Sequence, residues 1–146
     1  MKNQLSIASI LLRLALVATF LSAVASRLGL WGAASSGWQG FLKYTAQVNS
    51  FAPEGLVPVL AITATCMEIS IALLLLVGYK TRVAASAAGI LTLMFALAMA
   101  YSFGIKDPLD YSVFVDSAAA FLLASCAAYP WSIDEYMHYK SIKSIN

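Results

Sequence analysis

Residues 57–82 read VPVLAITATCMEISIALLLLVGYKTR, and this stretch decides the class of fold. Its only charged residue before Lys80 is Glu68. An α-helix needs about twenty apolar residues to cross the hydrocarbon core of a bilayer. Because backbone amides within lipid have to be paired inside their own segment, residues 57–79 are predicted to form a transmembrane helix.

Three other stretches have the same apolar character, so the prediction extends to the whole chain. Hydrophobic residues make up 61% of the sequence and charged residues 11%, whereas a soluble domain averages about a quarter charged. We therefore predict an all-α integral membrane four-helix bundle, formed by a single domain over residues 1–146. Its transmembrane helices are expected at about residues 5–30, 57–79, 83–103 and 111–129.

The first of these stretches has a second interpretation, as a signal peptide. Lys2, the apolar run and Ala23-Val24-Ala25 resemble a leader with its cleavage site. Arg13 interrupts the run, however, and the run is long for the apolar part of a leader. We therefore expect this segment to be retained as helix one.

The distribution of Lys and Arg predicts that both termini face the cytoplasm. The outer side then holds Lys43 and Lys106, with Arg27 at a helix end. The inner side holds the larger basic set, which comprises Lys2, Lys80, Arg82, Lys140 and Lys143. The net charge of +2 is too small, and the basic residues too scattered, to predict a nucleic-acid partner.

The long connection between helices one and two, residues 32–56, is predicted to contain a short helix in the outer membrane interface. Its apolar residues fall near one helical face, opposite Gln39, Lys43 and Asn49. That apolar face consists of Trp38, Phe41, Leu42, Val48 and Phe51. Two interpretations stay open: the helix only covers the bundle as a lid, or it is a docking surface or a pocket gate.

Four ionisable residues fall within the predicted transmembrane helices, where an unpaired charge is costly. They are Arg13 and Arg27 in helix one, Glu68 in helix two and Asp116 in helix four. Helical rise predicts two ion pairs, Arg13 with Glu68 near the midplane and Arg27 with Asp116 in the outer third. The first pair either fixes the helix register or lines a polar cavity for a ligand or a proton. For Arg27, the alternative is that its side chain reaches water at the interface.

Few residues in this sequence could hold a redox or metal cofactor. Cys66 and Cys126 are expected to differ in depth by roughly 10 Å, beyond disulfide reach, and to be buried small hydrophobes. No C-x-x-C motif occurs, and His138 is the only histidine, which excludes a bis-histidine haem and a histidine-rich metal site. We therefore predict no catalytic residue, no metal site and no covalently bound cofactor.

Three local features occur together along the chain. Leu12-Arg13-Leu14 lies early in helix one, Met67-Glu68-Ile69 lies in helix two, and the hairpin Gly78-Tyr79-Lys80-Thr81-Arg82 has the form G-x-x-T-R. Ala84-Ala85 follows the hairpin, and Asp110-Tyr111-Ser112 opens helix four. In these features the chain resembles the DoxX-like family of four-helix membrane proteins (DoxX, DoxD and MauE-like), over nearly its whole length.

The resemblance implies a multi-pass protein of the bacterial inner membrane that is an accessory subunit of a redox complex. The family takes its name from a small subunit of a membrane thiosulfate:quinone oxidoreductase. The ligand implied is a quinone, at a site around Arg13 and Glu68, and the partners implied are lipid, membrane or redox proteins and further copies of the chain. An independent enzyme is not expected. Two alternatives stay open, a protein that binds or transports a lipid or small solute, and a structural assembly partner.

Overall fold

In a computed structural model, which describes residues 2–143, the chain folds into α-helices joined by short connections. Within those residues no strand occurs, and the all-α prediction is confirmed. Two single 3₁₀ turns, Gly32–Ala34 and Glu54–Leu56, flank the second helix. The helices are α1 (Lys2–Arg27), α2 (Gly37–Val48), α3 (Val57–Val77), α4 (Thr81–Phe103), α5 (Lys106–Asp110), α6 (Val113–Ala124) and α7 (Ile133–Lys143).

Three helices in the described part of the chain are long and apolar enough to cross a membrane. The apolar spans are Gln4–Arg27, Glu54–Val77 and Thr81–Phe103, and they correspond to α1, α3 and α4. The protein is therefore a membrane protein. A helix also lies in the predicted connection, at α2, and its position in a membrane interface stays a prediction.

The fourth predicted transmembrane helix, at residues 111–129, is shorter than expected. Helix α6 has 12 residues, about 18 Å at helical rise, against a hydrocarbon core of about 30 Å. The chain leaves the helix at Ser125, whose hydroxyl bonds back to the carbonyl of Phe121, and Pro130 a little further on cannot continue a helical hydrogen-bond pattern. The stretch that follows folds back onto the α3–α4 hairpin instead.

Helices α4 and α6 pack closely because small residues lie between them. A Cβ added at Gly89 would come within 2.9 Å of the Phe121 ring, and the hydroxyl of Ser117 donates to the carbonyl of Gly89 at 2.9 Å. In lipid, where apolar side chains gain little from meeting each other, such close approach is a main source of helix association. The buried core around it comes from four helices and includes Leu16, Val17, Phe20, Ile71, Ala72, Leu75, Ala84, Ala85, Ala88, Ala120 and Leu123.

Helix α1 lies nearer the C-terminal end of α3 than the sequence spacing predicted. Nη1 of Arg13 lies 3.1 Å from the position that a Cβ on Gly78 would occupy, beside the end of α3, and Arg27 contacts Thr65 in the middle of α3. The two contacts agree with each other, because the 14 residues from Arg13 to Arg27 in α1 and the 13 residues from Thr65 to Gly78 each span about 20 Å. Helix α1 therefore ends beside the middle of α3, and α2 packs beside the remaining part.

The end of α2 and the residues just after it contact the C-terminal end of α4 through aromatic rings and hydroxyl groups. The rings of Phe51 and Tyr101 meet edge to face with centroids 5.4 Å apart. The hydroxyl of Ser102 donates to the carbonyl of Val48 at 2.6 Å and lies 2.9 Å from the hydroxyl of Ser50. These contacts place α2 across the part of α3 and α4 that lies beyond the end of α1.

Candidate functional site

A buried ion pair joins the last residue of α1 to the middle of α3. Nη1 of Arg27 lies 2.6 Å from Oε2 of Glu68, and Nη2 donates to Oε1 at 2.9 Å. The two side chains are 8% and 2% exposed. The guanidinium thus lies against both carboxylate oxygens, with a charge-assisted hydrogen bond to Oε1 and a close ionic contact with Oε2.

Two further contacts fix the Arg27 guanidinium. Nη1 donates to Oγ1 of Thr65 at 3.0 Å, and that hydroxyl in turn donates to the carbonyl of Ala61 at 2.8 Å. The ring of Phe41, from α2, lies over the guanidinium with its centroid 3.8 Å from Cζ, close enough for a cation–π interaction. Three helices therefore determine where this charge lies.

A cleft of about 650 Å³ lies between α2, α3 and α4, and Arg27 forms part of its wall. Pockets that hold small organic ligands have volumes of about 300–1,000 Å³ and mostly apolar walls with a few polar groups. Arg27 is the charged residue of this lining, and Glu68 and Thr65 lie behind it without lining the cleft. The apolar wall includes Phe41, Val48, Leu56, Leu60, Ala64, Met67, Leu91, Met94, Phe95, Ala98 and Met99.

The cleft opens towards the outer surface of the helices between α3 and α4. Met67 and Met94 line it and are also 41% and 61% exposed. Exposed apolar side chains on membrane-spanning helices face hydrocarbon, so lipid is the surrounding phase on this side. A lipid-soluble molecule therefore has direct access to the cleft.

Tyr44 provides a hydroxyl in the wall formed by α2. Burial raises the pKa of this phenol, and the neighbouring Tyr111 and Asp107 act in the same direction. The hydroxyl consequently stays protonated and can donate a hydrogen bond. Arg27, Tyr44 and the side chains of Thr45, Asn49 and Thr63 are the polar groups of an otherwise apolar wall.

A second cavity, of about 630 Å³, lies where the stretch after α6 meets the end of α3. Its lining includes Trp131, Tyr136 and Tyr139, all of which are largely exposed. Because its walls are exposed side chains at the surface, this cavity encloses little of any molecule that it touches. The cleft beside Arg27 is the better candidate for a ligand site.

Arg13 holds the non-helical stretch that follows α6. Its Nη2 donates to the carbonyl of Trp131 at 2.7 Å and its Nη1 to that of Pro130 at 3.2 Å. Arg82 donates similarly to the carbonyl of Cys126 at 3.3 Å. Backbone carbonyls that leave a helix within apolar surroundings need donors from elsewhere, and these arginines supply them.

The hairpin between α3 and α4 completes this attachment. Gly78 ends α3 with φ +68°, and a Cβ there would overlap the Cβ of Ser132, so only glycine permits the approach. The carboxylate of Asp134 accepts hydrogen bonds from the backbone N–H groups of Lys80 at 2.8 Å and Thr81 at 2.7 Å. It thereby caps the start of α4, whose first amides have no partner within the helix.

The residues that make most of these contacts lie in a part of the chain that a known family shares. Residues 8–101 match the family model described as DoxX. The chain belongs to the DoxX family. The resemblance drawn from Arg13, Glu68 and the hairpin motif is thereby confirmed, although the match covers less of the chain than the resemblance did.

No curated protein and no solved structure matches this DoxX-family chain. The family match contains the Arg27–Glu68 pair and nearly the whole lining of the cleft, while α5, α6 and α7 follow it in the sequence. The site therefore lies in the family-defining part of the protein, and the segment held by Arg13 lies outside that part.

The four charges predicted from the sequence are paired differently in the structure of the DoxX-family chain. The predicted Arg13–Glu68 pair is wrong, because both oxygens of Glu68 meet Arg27. The prediction placed Arg13 close to the level of Glu68. In the structure Arg13 lies level with Gly78, about 15 Å from Glu68 along α3. Arg27 likewise does not reach towards interfacial water, since it is buried.

The predicted Arg27–Asp116 pair is also wrong, because Glu68 and Thr65 occupy the guanidinium of Arg27. Asp116 lies half-buried in the first turn of α6. In the described residues the salt bridges are Arg27–Glu68 and the exposed Lys106–Asp110. The proposal that a buried polar pair serves a ligand stays a prediction. The pair it concerns is now Arg27 with Glu68 instead of Arg13 with Glu68.

The cysteines are free, and the expectation that both are buried is wrong. Cys66 is exposed and Cys126 is partly exposed. The buried positions of α3 include Ala61, Thr65 and Glu68, so Cys66 falls one residue outside the buried face. In the part of the chain that the structure describes, no group of three or more His, Cys, Asp or Glu side chains could hold a metal ion.

Proposed function

We propose that this DoxX-family chain is an accessory subunit of a membrane redox complex and binds a quinone-class ligand in the cleft between α2, α3 and α4. The observation that carries the proposal is an apolar cleft that reaches lipid at Met67 and Met94 and has the Arg27 guanidinium in its wall. Membership of the DoxX family supports the redox role. The proposed location is the bacterial inner membrane, with both termini in the cytoplasm.

A quinone suits the chemistry of this wall. Its flat ring carries carbonyl oxygens, which only accept hydrogen bonds, and the guanidinium of Arg27 and the hydroxyl of Tyr44 are donors. Its apolar tail would pack against the lining and leave between α3 and α4 into hydrocarbon. The cleft's few polar groups would then orient the head while its apolar wall provides most of the affinity.

The partner in this proposal carries the other redox group. The ligand would exchange electrons with a cofactor held by another subunit, and this chain would bind and orient the ligand. A purely structural subunit would instead keep its complex fully active after Glu68→Gln, whereas a ligand-binding subunit would lose activity because the charge of Arg27 in the cleft wall would no longer be balanced.

The test is purification of the complex in a gentle detergent, with mass spectrometry of the co-purifying proteins and of extracted quinone. Ala98→Trp fills the cleft, and Leu97→Trp adds the same bulk at the adjacent, exposed position of α4. We expect bound quinone in the wild type and in Leu97→Trp, and its loss in Ala98→Trp. A wild type without quinone, or equal retention in both variants, would refute the proposal.

A further inference from the structure

We infer that the cleft selects ligands with a neutral head group over ligands with an anionic one, and that Glu68 makes this selection. The inference rests on the proposed function and adds the charge of the ligand's head to it. Arg27 alone would attract anions, because it is the charged residue of the lining. Glu68, buried behind Arg27 and 2.6 Å from it, cancels that attraction.

The contacts of the Arg27 guanidinium restrict its movement away from Glu68 towards an anion in the cleft. Both carboxylate oxygens, the hydroxyl of Thr65 and the ring of Phe41 hold it in place. A ligand therefore meets hydrogen-bond donors whose positive charge is already balanced. A carbonyl oxygen can use such donors without adding a charge to the site.

An anionic head group would meet two penalties in this cleft. It would lose its hydration in mainly apolar surroundings, which is costly for an ion that gains no net counter-charge. Its attraction to Arg27 would also be offset by repulsion from the Glu68 carboxylate behind that guanidinium, in a medium where charges interact strongly. The same molecule with a neutral head meets neither penalty.

The probes for the test are a decyl-naphthoquinone and the matched hydroxy-decyl-naphthoquinone, which is an anion at neutral pH. Binding to the full chain in lipid nanodiscs is followed by quenching of tryptophan fluorescence. For the wild type we expect the neutral probe to bind at least tenfold more tightly, about the ratio that a modest electrostatic difference produces. In Glu68→Gln, where Arg27 is no longer balanced, the preference should fall at least tenfold or reverse.

The double variant Arg27→Gln/Glu68→Gln is the matched control, because it removes both charges and should restore the preference for the neutral probe. A wild type that binds neither probe would refute the proposed function itself. A wild type that binds both equally, or prefers the anion, would refute the neutral-head inference while leaving the cleft as a binding site. An unchanged preference in Glu68→Gln would refute the role of Glu68. If Glu68→Gln does not fold, the wild-type ratio alone decides.

Discussion

Arg27 and Glu68 should be energetically coupled, whereas Arg13 and Glu68 should not. Arg27→Leu leaves the Glu68 carboxylate, which is 2% exposed, without its cation, and Glu68→Leu leaves a buried guanidinium without its anion. Removing one member of a buried pair typically costs about 3–5 kcal/mol in soluble proteins, and polar contacts between membrane helices are often weaker. We therefore expect the loss of the pair alone to lower the free energy of unfolding by about 2–4 kcal/mol in each variant.

The other contacts of Arg27 determine which variant is the more damaging. Arg27→Leu also removes the hydrogen bond to Thr65 and the contact with Phe41, which Glu68→Leu leaves in place. At about 1 kcal/mol for a hydrogen bond and about 0.5–2 kcal/mol for a cation–π contact, Arg27→Leu should cost about 1.5–3 kcal/mol more. The double variant leaves no lone charge, so its loss should fall short of the summed single losses by at least about 1 kcal/mol.

The assay is unfolding in mixed micelles as the fraction of sodium dodecyl sulfate is raised, followed by tryptophan fluorescence. Arg13→Leu combined with Glu68→Leu is the control, because about 15 Å separates the levels of these residues along α3. Their losses should add within about 0.5 kcal/mol. Additive losses for Arg27 and Glu68, or coupled losses for Arg13 and Glu68, would contradict the pairing seen in the structure.

Other regions of the molecule give further tests. Arg13→Leu should free the stretch after α6, so that limited proteolysis cuts it roughly tenfold faster than in the wild type; unchanged protection would show that Arg13 does not hold it. Gly78→Ala should lower the free energy of unfolding by at least about 2 kcal/mol, while Gly40→Ala, with ordinary space around its Cβ, should not lower it. With both native cysteines replaced by Ala, ligand binding should persist because neither lines the cleft, and its loss in a folded variant would show that a cysteine takes part in binding. In that background, Gln47→Cys should react with an impermeant reagent only from outside; reaction only from inside would reverse the topology.

Composition and apolar run length were sufficient to predict the helical architecture. Long stretches without charge leave a membrane-spanning chain few alternatives to helices, so α1, α3 and α4 begin and end close to the predicted residues. The end of α6 was less predictable. It depends on Arg13 and Arg82, which supply donors to carbonyls that would otherwise require a continuing helix.

The identity of the buried charges was predictable, but their pairing was not. Sequence spacing fixes the distance between residues within one helix, whereas the level of α1 against α3 depends on tertiary contacts at Gly78 and Thr65. A shift of about ten residues changes the partner of Glu68 from Arg13 to Arg27. One sequence signal was available, because Thr65 and Glu68 lie on one face of α3 and together suit a single guanidinium.

The same shift explains why a cleft exists beside Arg27. Because α1 ends beside the middle of α3, the α3–α4 hairpin extends beyond it with an apolar surface that α1 does not cover. Helix α2 covers that surface from one side, and its 12 residues leave the cleft between the three helices. In a four-helix bundle whose helices end at the same level, a longer α1 would fill this volume. Its last residue would then lie away from Glu68. The position of the charge in the cleft wall and the volume of the cleft thus have one cause, the level at which α1 ends.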